Sequence, residues 1–199
     1  MTNKSHLHGT VVERCDWAKA DELMIEYHDR EWGVPCRDDR KLFEHLLLDC
    51  FQAGLSWAVI LHKRENFRKA FSGFDPKRVA EFDSKRIEKL MRNPGIVRNR
   101  AKIEAAVVNA RALMKIREEF GSFSDYLWRF TGGRTIINRY RRWTDVPAST
   151  KLSRDMSRDM KKRGFRFTGP TCCYAFMQAV GLVNDHQVSC FRWRQLQSQ

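Results

Sequence analysis

At 199 residues, with 42% hydrophobic and 31% charged side chains, the chain can bury a core without disulfides and is too apolar to stay disordered. Its 37 lysines and arginines against 24 acidic residues leave a formal charge of +13. That excess points to a polyanionic partner, nucleic acid ahead of an acidic membrane surface, because neutralising phosphates releases counterions. No run approaches the ~18 apolar residues of a membrane span, and the opening MTNKSHLHGT lacks the apolar stretch of a signal peptide. The expectation is a cytoplasmic protein whose six cysteines stay reduced. Their spacing does not match an iron–sulfur array.

Residues 1–11 are polar and are expected to form a disordered tail, with 12–199 folding as one unit. Asp38 or Asp39 can cap a helix carrying Leu42, Phe43, Leu46 and Leu47 at helical spacing. A second helix is predicted from Trp57 through Ile60 and Leu61 to Phe67 and Phe71. Asp75-Pro76 starts a third, with proline where its missing N–H costs nothing. Asp83 or Ser84 caps the next, which Asn93-Pro94-Gly95 ends. Residues 99–120 form the longest pattern, with Ile103, Ala106, Val107, Ala110, Leu113 and Met114 on one face. Ser122 or Ser124 opens a short aromatic helix through Tyr126, Trp128 and Phe130, and Ser149-Thr150 opens another that Gly164 closes. No period-2 run of strand length occurs, so the predicted fold class is all-α.

Two groups of residues carry chemistry. Cys15 and His28 are spaced C-x12-H, and His186 and Cys190 are spaced H-x3-C. Thiolate and imidazole suit zinc, and the second pair sits at a spacing that tetrahedral coordination can use. The spacing alone leaves open ordinary buried thiols and satisfied histidines. The other group is Met160-Lys161-Lys162-Arg163-Gly164-Phe165-Arg166-Phe167-Thr168-Gly169-Pro170-Thr171, a basic helix end, a glycine-bounded loop and a new helix. Gly164 can end the first helix in a left-handed conformation, and Gly169 lets a phosphate approach the amides of the next. This reads as a helix-hairpin-helix, spanning about residues 150–183, that holds a DNA backbone without reading sequence. Lys162, Arg163, Gly164, Gly169 and Thr171 are its candidate contacts. A plain αα-corner with a solvated basic face is the alternative for the loop in isolation.

Several segments together resemble the bacterial DNA-3-methyladenine glycosylase I family, within the helix-hairpin-helix glycosylase superfamily. They are Arg14-Cys15-Asp16-Trp17, the run from Tyr27 to Pro35 (YHDREWGVP), Phe51-Gln52-Ala53-Gly54-Leu55-Ser56-Trp57, Lys63-Arg64-Glu65-Asn66-Phe67, Gly95-Ile96-Val97-Arg98-Asn99-Arg100, Lys161-Lys162-Arg163-Gly164-Phe165 and Gly181-Leu182-Val183-Asn184-Asp185-His186. They follow the family's order over about residues 12–191. The resemblance implies one structural zinc ion held by Cys15, His28, His186 and Cys190, a clasp joining residues 12–30 to 184–192.

It also implies hydrolysis of the N-glycosidic bond of N3-methyladenine in double-stranded DNA, by a monomer with no membrane partner, as a step of base excision repair. Such an enzyme flips out a cationic base and stacks it on aromatic faces. Trp57 is the main stacking candidate, with Tyr27, Trp17 and Phe51 as further walls, although core packing is the commoner role of any one aromatic. The family's pocket glutamate falls on Asp49, one methylene shorter, which otherwise reads as a helix-surface acid. Leu55, after Gly54, is the candidate wedge for the gap left by flipping. Where bifunctional relatives carry a nucleophilic lysine the chain has Pro170-Thr171, which implies a monofunctional enzyme. Asn184 takes the place of the superfamily's catalytic aspartate, leaving Asp185 as a secondary carboxylate or an orienter of His186. The rivals are a silent zinc-containing DNA-binding module and a glycosylase with shifted alkylpurine specificity, both prompted by Asp49.

Overall fold

The computed structural model describes residues 12–19 and 21–197, so the expected tail over residues 1–11 lies outside the described residues. The helices are α1 (Glu22–Arg30), α2 (Asp39–Gln52), α3 (Trp57–His62), α4 (Arg64–Ala70), α5 (Pro76–Ala80), α6 (Ser84–Met91), α7 (Arg100–Phe120), α8 (Phe123–Trp128), α9 (Lys151–Lys162), α10 (Pro170–Ala179) and α11 (Phe191–Gln195). Two-residue strands, β1 (Ile136–Ile137) and β2 (Val183–Asn184), pair in parallel. They depart from the all-α expectation, and a ladder this short leaves no alternation to read in a sequence. Among the described residues no helix is long and apolar enough to cross a membrane.

Local chemistry sets the helix starts. The side chains of Asp38, Asp75, Asp83, Asn99, Ser122 and Thr150 each accept a hydrogen bond from a first-turn amide of the helix that follows. Asp39, the other candidate cap for α2, instead turns away and accepts from the Phe123 and Ser124 amides and from Arg117, fixing the start of α8. The helix expected from Trp57 to Phe71 is two. Lys63 closes α3 with an i→i−3 bond to Ile60 and begins α4, so that Ile60 and Phe67 are both fully buried.

Helix α2 lies at the centre. Residues 42–51 are all buried, as expected of a helix that is apolar nearly all round. Helices α7, α8 and α10 pack around it. The run nevertheless holds Glu44, His45 and Asp49, each under a tenth exposed, and buried polar groups demand partners. A second, smaller cluster joins Cys15, Met24, Tyr27, Trp32, Leu61, Ala179 and Cys190 at the meeting of the chain's two ends. Helices α9 and α10 form the predicted hairpin, with Gly164 at φ +89° ending α9. Asn109 on α7 pins it by bonding both the amide (2.7 Å) and the carbonyl (3.0 Å) of Arg166.

Candidate active site beside a Cys/His cluster

The structure brings Cys15, His28, His186 and Cys190 together, fully buried, with their ligand atoms all within 4.8 Å of one another. Cys15 Sγ lies 3.5 Å from His186 Nδ1, and Cys190 Sγ lies 3.5 Å from His28 Nε2 and 3.6 Å from His186 Nδ1. Tetrahedral zinc with ordinary Zn–S and Zn–N bonds places sulfur and nitrogen about 3.5 Å apart, so the donor set fits that ion. Both rings are oriented from behind. His28 Nδ1 is 2.8 Å from the Asp29 carboxylate, which Arg14 also grips, and His186 Nε2 is 3.0 Å from the Trp32 carbonyl. Those outer bonds leave His28 Nε2 and His186 Nδ1 as lone pairs facing the thiols. Gln187 stitches the junction from its amide to Cys15 Sγ (3.3 Å) and through reciprocal bonds with Asp16.

An aromatic wall runs on from this cluster. Trp17 packs on His28 (5.3 Å between centroids) and Trp32 (5.0 Å), then on Tyr27 (6.3 Å), which meets Trp57 at 5.1 Å. The His45 ring lies 6.4 Å from that of Tyr27, and Asp49, one turn further along α2, is near enough for its charge to act on the phenol; the two are 3% and 5% exposed. Four polar atoms of this set are buried without any partner: Asp49 Oδ2, His45 Nδ1, Trp17 Nε1 and Trp57 Nε1. Burial raises the Asp49 carboxyl well above the ordinary range, and burial together with the Asp49 charge does the same to the Tyr27 phenol. The other polar groups of α2 are paired. Glu44 accepts from Arg64 (2.6 Å) and Arg68 (2.9 Å). Glu31 takes both Arg64 amines and His45 Nε2 at 2.7 Å. Burial opposes ionisation of Glu31, but the bonds from His45 and Arg64 outweigh it and hold this carboxyl far below its usual range. These ion pairs, with Tyr27 and His45, line a cleft of about 790 Å³.

At the C-terminal end of α2, Lys102 donates to the carbonyls of Phe51 (2.8 Å) and Ala53 (2.5 Å), capping the helix from α7. Burial lowers its pKa. The chain then turns through Gly54, at φ +83° with nothing near a Cβ, and presents Leu55 to solvent, 41% exposed. Leu55 is therefore no core leucine. In the hairpin, Lys162, Gly164 and Thr171 are exposed, and Gly169 begins α10 with no side chain capping the amides. Phe167, 39% exposed at φ +56°, stands among them. Composition did not single it out, because an aromatic in a loop reads as packing.

Three expectations need correction. Phe51 is not a pocket wall. It is fully buried against Phe67 (4.8 Å) and Phe71 (5.6 Å), because two residues along a helix is about 200° of rotation and turns it away from Asp49. Arg163 is not a free cation. It bonds Glu119 and Asp159 and lies over the Phe120 and Tyr126 rings. Asp185 neither opens to a pocket nor orients His186. It is fully buried and accepts from Tyr174 (2.5 Å), Gln178 (2.8 Å) and Asn138 (2.6 Å), while Asn184 bonds the His186 amide and the Trp193 carbonyl. Sequence reading also missed His45, a histidine inside a buried helix.

Known proteins share this arrangement of the chain. The family model for methyladenine glycosylases matches residues 17–193. DNA-3-methyladenine glycosylase 1 of Escherichia coli (strain K12) is 46% identical over 179 residues, covering 90% of this chain and 96% of that protein. DNA-3-methyladenine glycosylase of Haemophilus influenzae is 46% identical over 180 residues, covering 90% and 97%. A crystal structure of 3-methyladenine DNA glycosylase I superposes with a TM-score of 0.88 at 49% identity, covering 90% of this chain and 98% of the other. The Staphylococcus aureus 3-methyladenine DNA glycosylase I, in a structure describing its recognition of 3-methyladenine, gives 0.87 at 36% identity over 89% and 95%. The chain belongs to the methyladenine glycosylase family.

Proposed function

We propose that this chain excises N3-methyladenine from alkylated double-stranded DNA by hydrolysing its N-glycosidic bond and leaving an abasic site, as a step of base excision repair. The observation that carries the reading is the buried Asp49 carboxyl, its Oδ2 unpartnered, whose charge acts on Tyr27, the ring that meets Trp57. Burial opposes ionisation of this unpartnered acid, and an arriving cation beside electron-rich rings restores the charged form. N3-methylation gives the base that positive charge while it is still attached to the sugar. The pocket thereby favours the lesion over neutral adenine, and a flipped cationic purine is already a good leaving group.

Trp57 and Tyr27 stack the base, with Trp17 closing the pocket. Leu55 wedges into the vacated stack, while Lys162, Gly164, Gly169 and Thr171 hold the backbone at the hairpin. No lysine stands at Pro170-Thr171, and buried Lys102 is committed to α2, so the reading is monofunctional hydrolysis without strand cleavage. Cys15, His28, His186 and Cys190 would hold one zinc ion with a structural role. With no open position among the four ligands, the ion would supply no chemistry to the base. The shorter acid at Asp49 favours a second reading, an altered range of alkylated purines.

Chromatography of the free bases released from methylated duplex DNA tests both. Release of 3-methyladenine alone supports the first, release of further methylated purines supports the second, and no release with intact DNA binding overturns them in favour of a silent binding module.

A further inference from the structure

We propose that His45 is a second base-recognition residue, its Nδ1 accepting one N–H of the adenine exocyclic amine while Asp49 accepts the other. The inference rests on the reading that the pocket takes N3-methyladenine. It starts from an imbalance. Glu44, on the same buried helix, has its carboxylate paired, whereas His45 and Asp49 each keep one wholly buried atom without a partner. The two residues are i and i+4 on α2, so their side chains project from one face about 6 Å apart at Cβ. The Tyr27 ring lies 6.4 Å from the imidazole, and the Asp49 charge acts on its phenol.

The proton arrangement follows from Glu31. Its carboxylate, held ionised by Arg64, accepts from His45 Nε2 at 2.7 Å. In the neutral ring, that bond keeps the imidazole hydrogen on Nε2 and leaves a lone pair on Nδ1. The pocket therefore offers two acceptors, a carboxylate oxygen and an imidazole nitrogen, one helical turn apart. An amino group has two N–H bonds diverging from one nitrogen, so the adenine amine can satisfy both acceptors at once. A purine with a carbonyl in place of the amine would point a lone pair at both and leave both orphaned. Asp49 Oδ2, the buried oxygen without a partner, takes one of the two N–H bonds. His45 completes the discrimination.

Two substitutions separate recognition from support. In His45→Gln the side-chain amide can still donate to Glu31 but offers no acceptor at the Nδ1 position. In His45→Asn the amide oxygen stands close to where Nδ1 was, and the link to Glu31 is lost. The measurement is the ratio of dissociation constants for free 3-methylhypoxanthine over free 3-methyladenine, from calorimetry on the full-length protein and both variants, with thermal melts confirming the fold. The expected result is a ratio reduced about tenfold in His45→Gln and within about twofold of the parent in His45→Asn. The reverse pattern would show a purely supporting role for the Glu31 bond and overturn the proposal, as would an unchanged ratio in both variants. Failure of the parent protein to bind 3-methyladenine would remove the functional reading itself, before any variant is compared.

Discussion

The Cys/His cluster and the Asp49 pocket share a wall, since Trp17 packs on both His28 and Tyr27, yet their polar groups are treated in opposite ways. In the cluster every ligand atom faces another, and each imidazole is held from behind by a carboxylate or a carbonyl. In the pocket, four buried polar atoms face nothing in the protein. A satisfied cluster stabilises the molecule by its own bonds. An unsatisfied one weakens it, and under the proposed function a substrate would supply the missing partners. Two regions built from similar residue types thus differ in which state they stabilise, folded protein or bound complex.

The strongest way to break this contrast is to unbalance the cluster. Cys190→Ala, or exhaustive chelation, should lower the melting temperature by about 10 °C or more, because a structural metal contributes folding free energy outright. The metal content measured alongside should fall to zero. A melt unchanged with metal retained would remove the zinc reading.

Asp49→Asn should do the reverse. Excision should drop about 100-fold or more, because the pocket loses its charge. At neutral pH the variant should melt roughly 2–4 °C higher than its parent, because it no longer buries an orphan carboxylate. The sign follows from linkage. Burial raises the folded-state pKa of Asp49, so its contribution to stability is complete only below the unfolded carboxylate value of about 4 and declines as pH rises through the raised value. The thermal advantage of the variant should therefore grow from acid to neutral pH. Melts taken across that range with excision rates at each pH would check it, and a destabilised Asp49→Asn would mean that the carboxylate has a partner.

Lys102 tests an intermediate case, a buried cation satisfied by carbonyls yet seated under the wedge turn. Lys102→Met should cost about 1–3 kcal/mol in denaturant melts and slow excision several-fold through the loosened Gly54-Leu55 turn. The smallest effect lies at the hairpin, where the same distinction recurs. Lys162→Ala should reduce the slope of log binding constant against log salt by about 1, while Arg163→Ala, already paired to Glu119 and Asp159, should leave the slope unchanged and lower stability.

What the sequence could convey divides along similar lines. Helix starts were legible because a capping aspartate, asparagine, serine or threonine acts within three residues, and Asp75-Pro76 and Asn99 fell where expected. That Cys15, His28, His186 and Cys190 come together was legible through the resemblance. Helix α1 was not, because its capping Asp21 introduces a mostly polar segment with no clear apolar stripe. Phe51 was misplaced by treating neighbours in sequence as neighbours on a face. Arg163 and Lys162 look alike in sequence, and what distinguishes them, besides Asp159 one turn back, lies far earlier in the chain in Glu119, Phe120 and Tyr126. His45 carries a signal of its own in the sequence, since a histidine and an aspartate one turn apart in a mostly apolar run must either find partners or await them.

The clasp also sets an order of events during synthesis. Trp17 and Tyr27 each lie within two residues of a cluster ligand, and the partners of those ligands lie 171 residues on, in the Cys15–His186 contact, and 162 residues on, in the His28–Cys190 contact. Closing so long a loop comes late in folding, after the contacts within α2 to α10 are available. A ribosome-bound chain that stops before His186 would carry the hairpin, the core and the pocket residues, with Trp17 and Tyr27 not yet held in place by the cluster. The nascent protein would then grip DNA before it could open a glycosidic bond, and acquire catalysis only when the segment with His186 and Cys190 folds back onto Cys15 and His28.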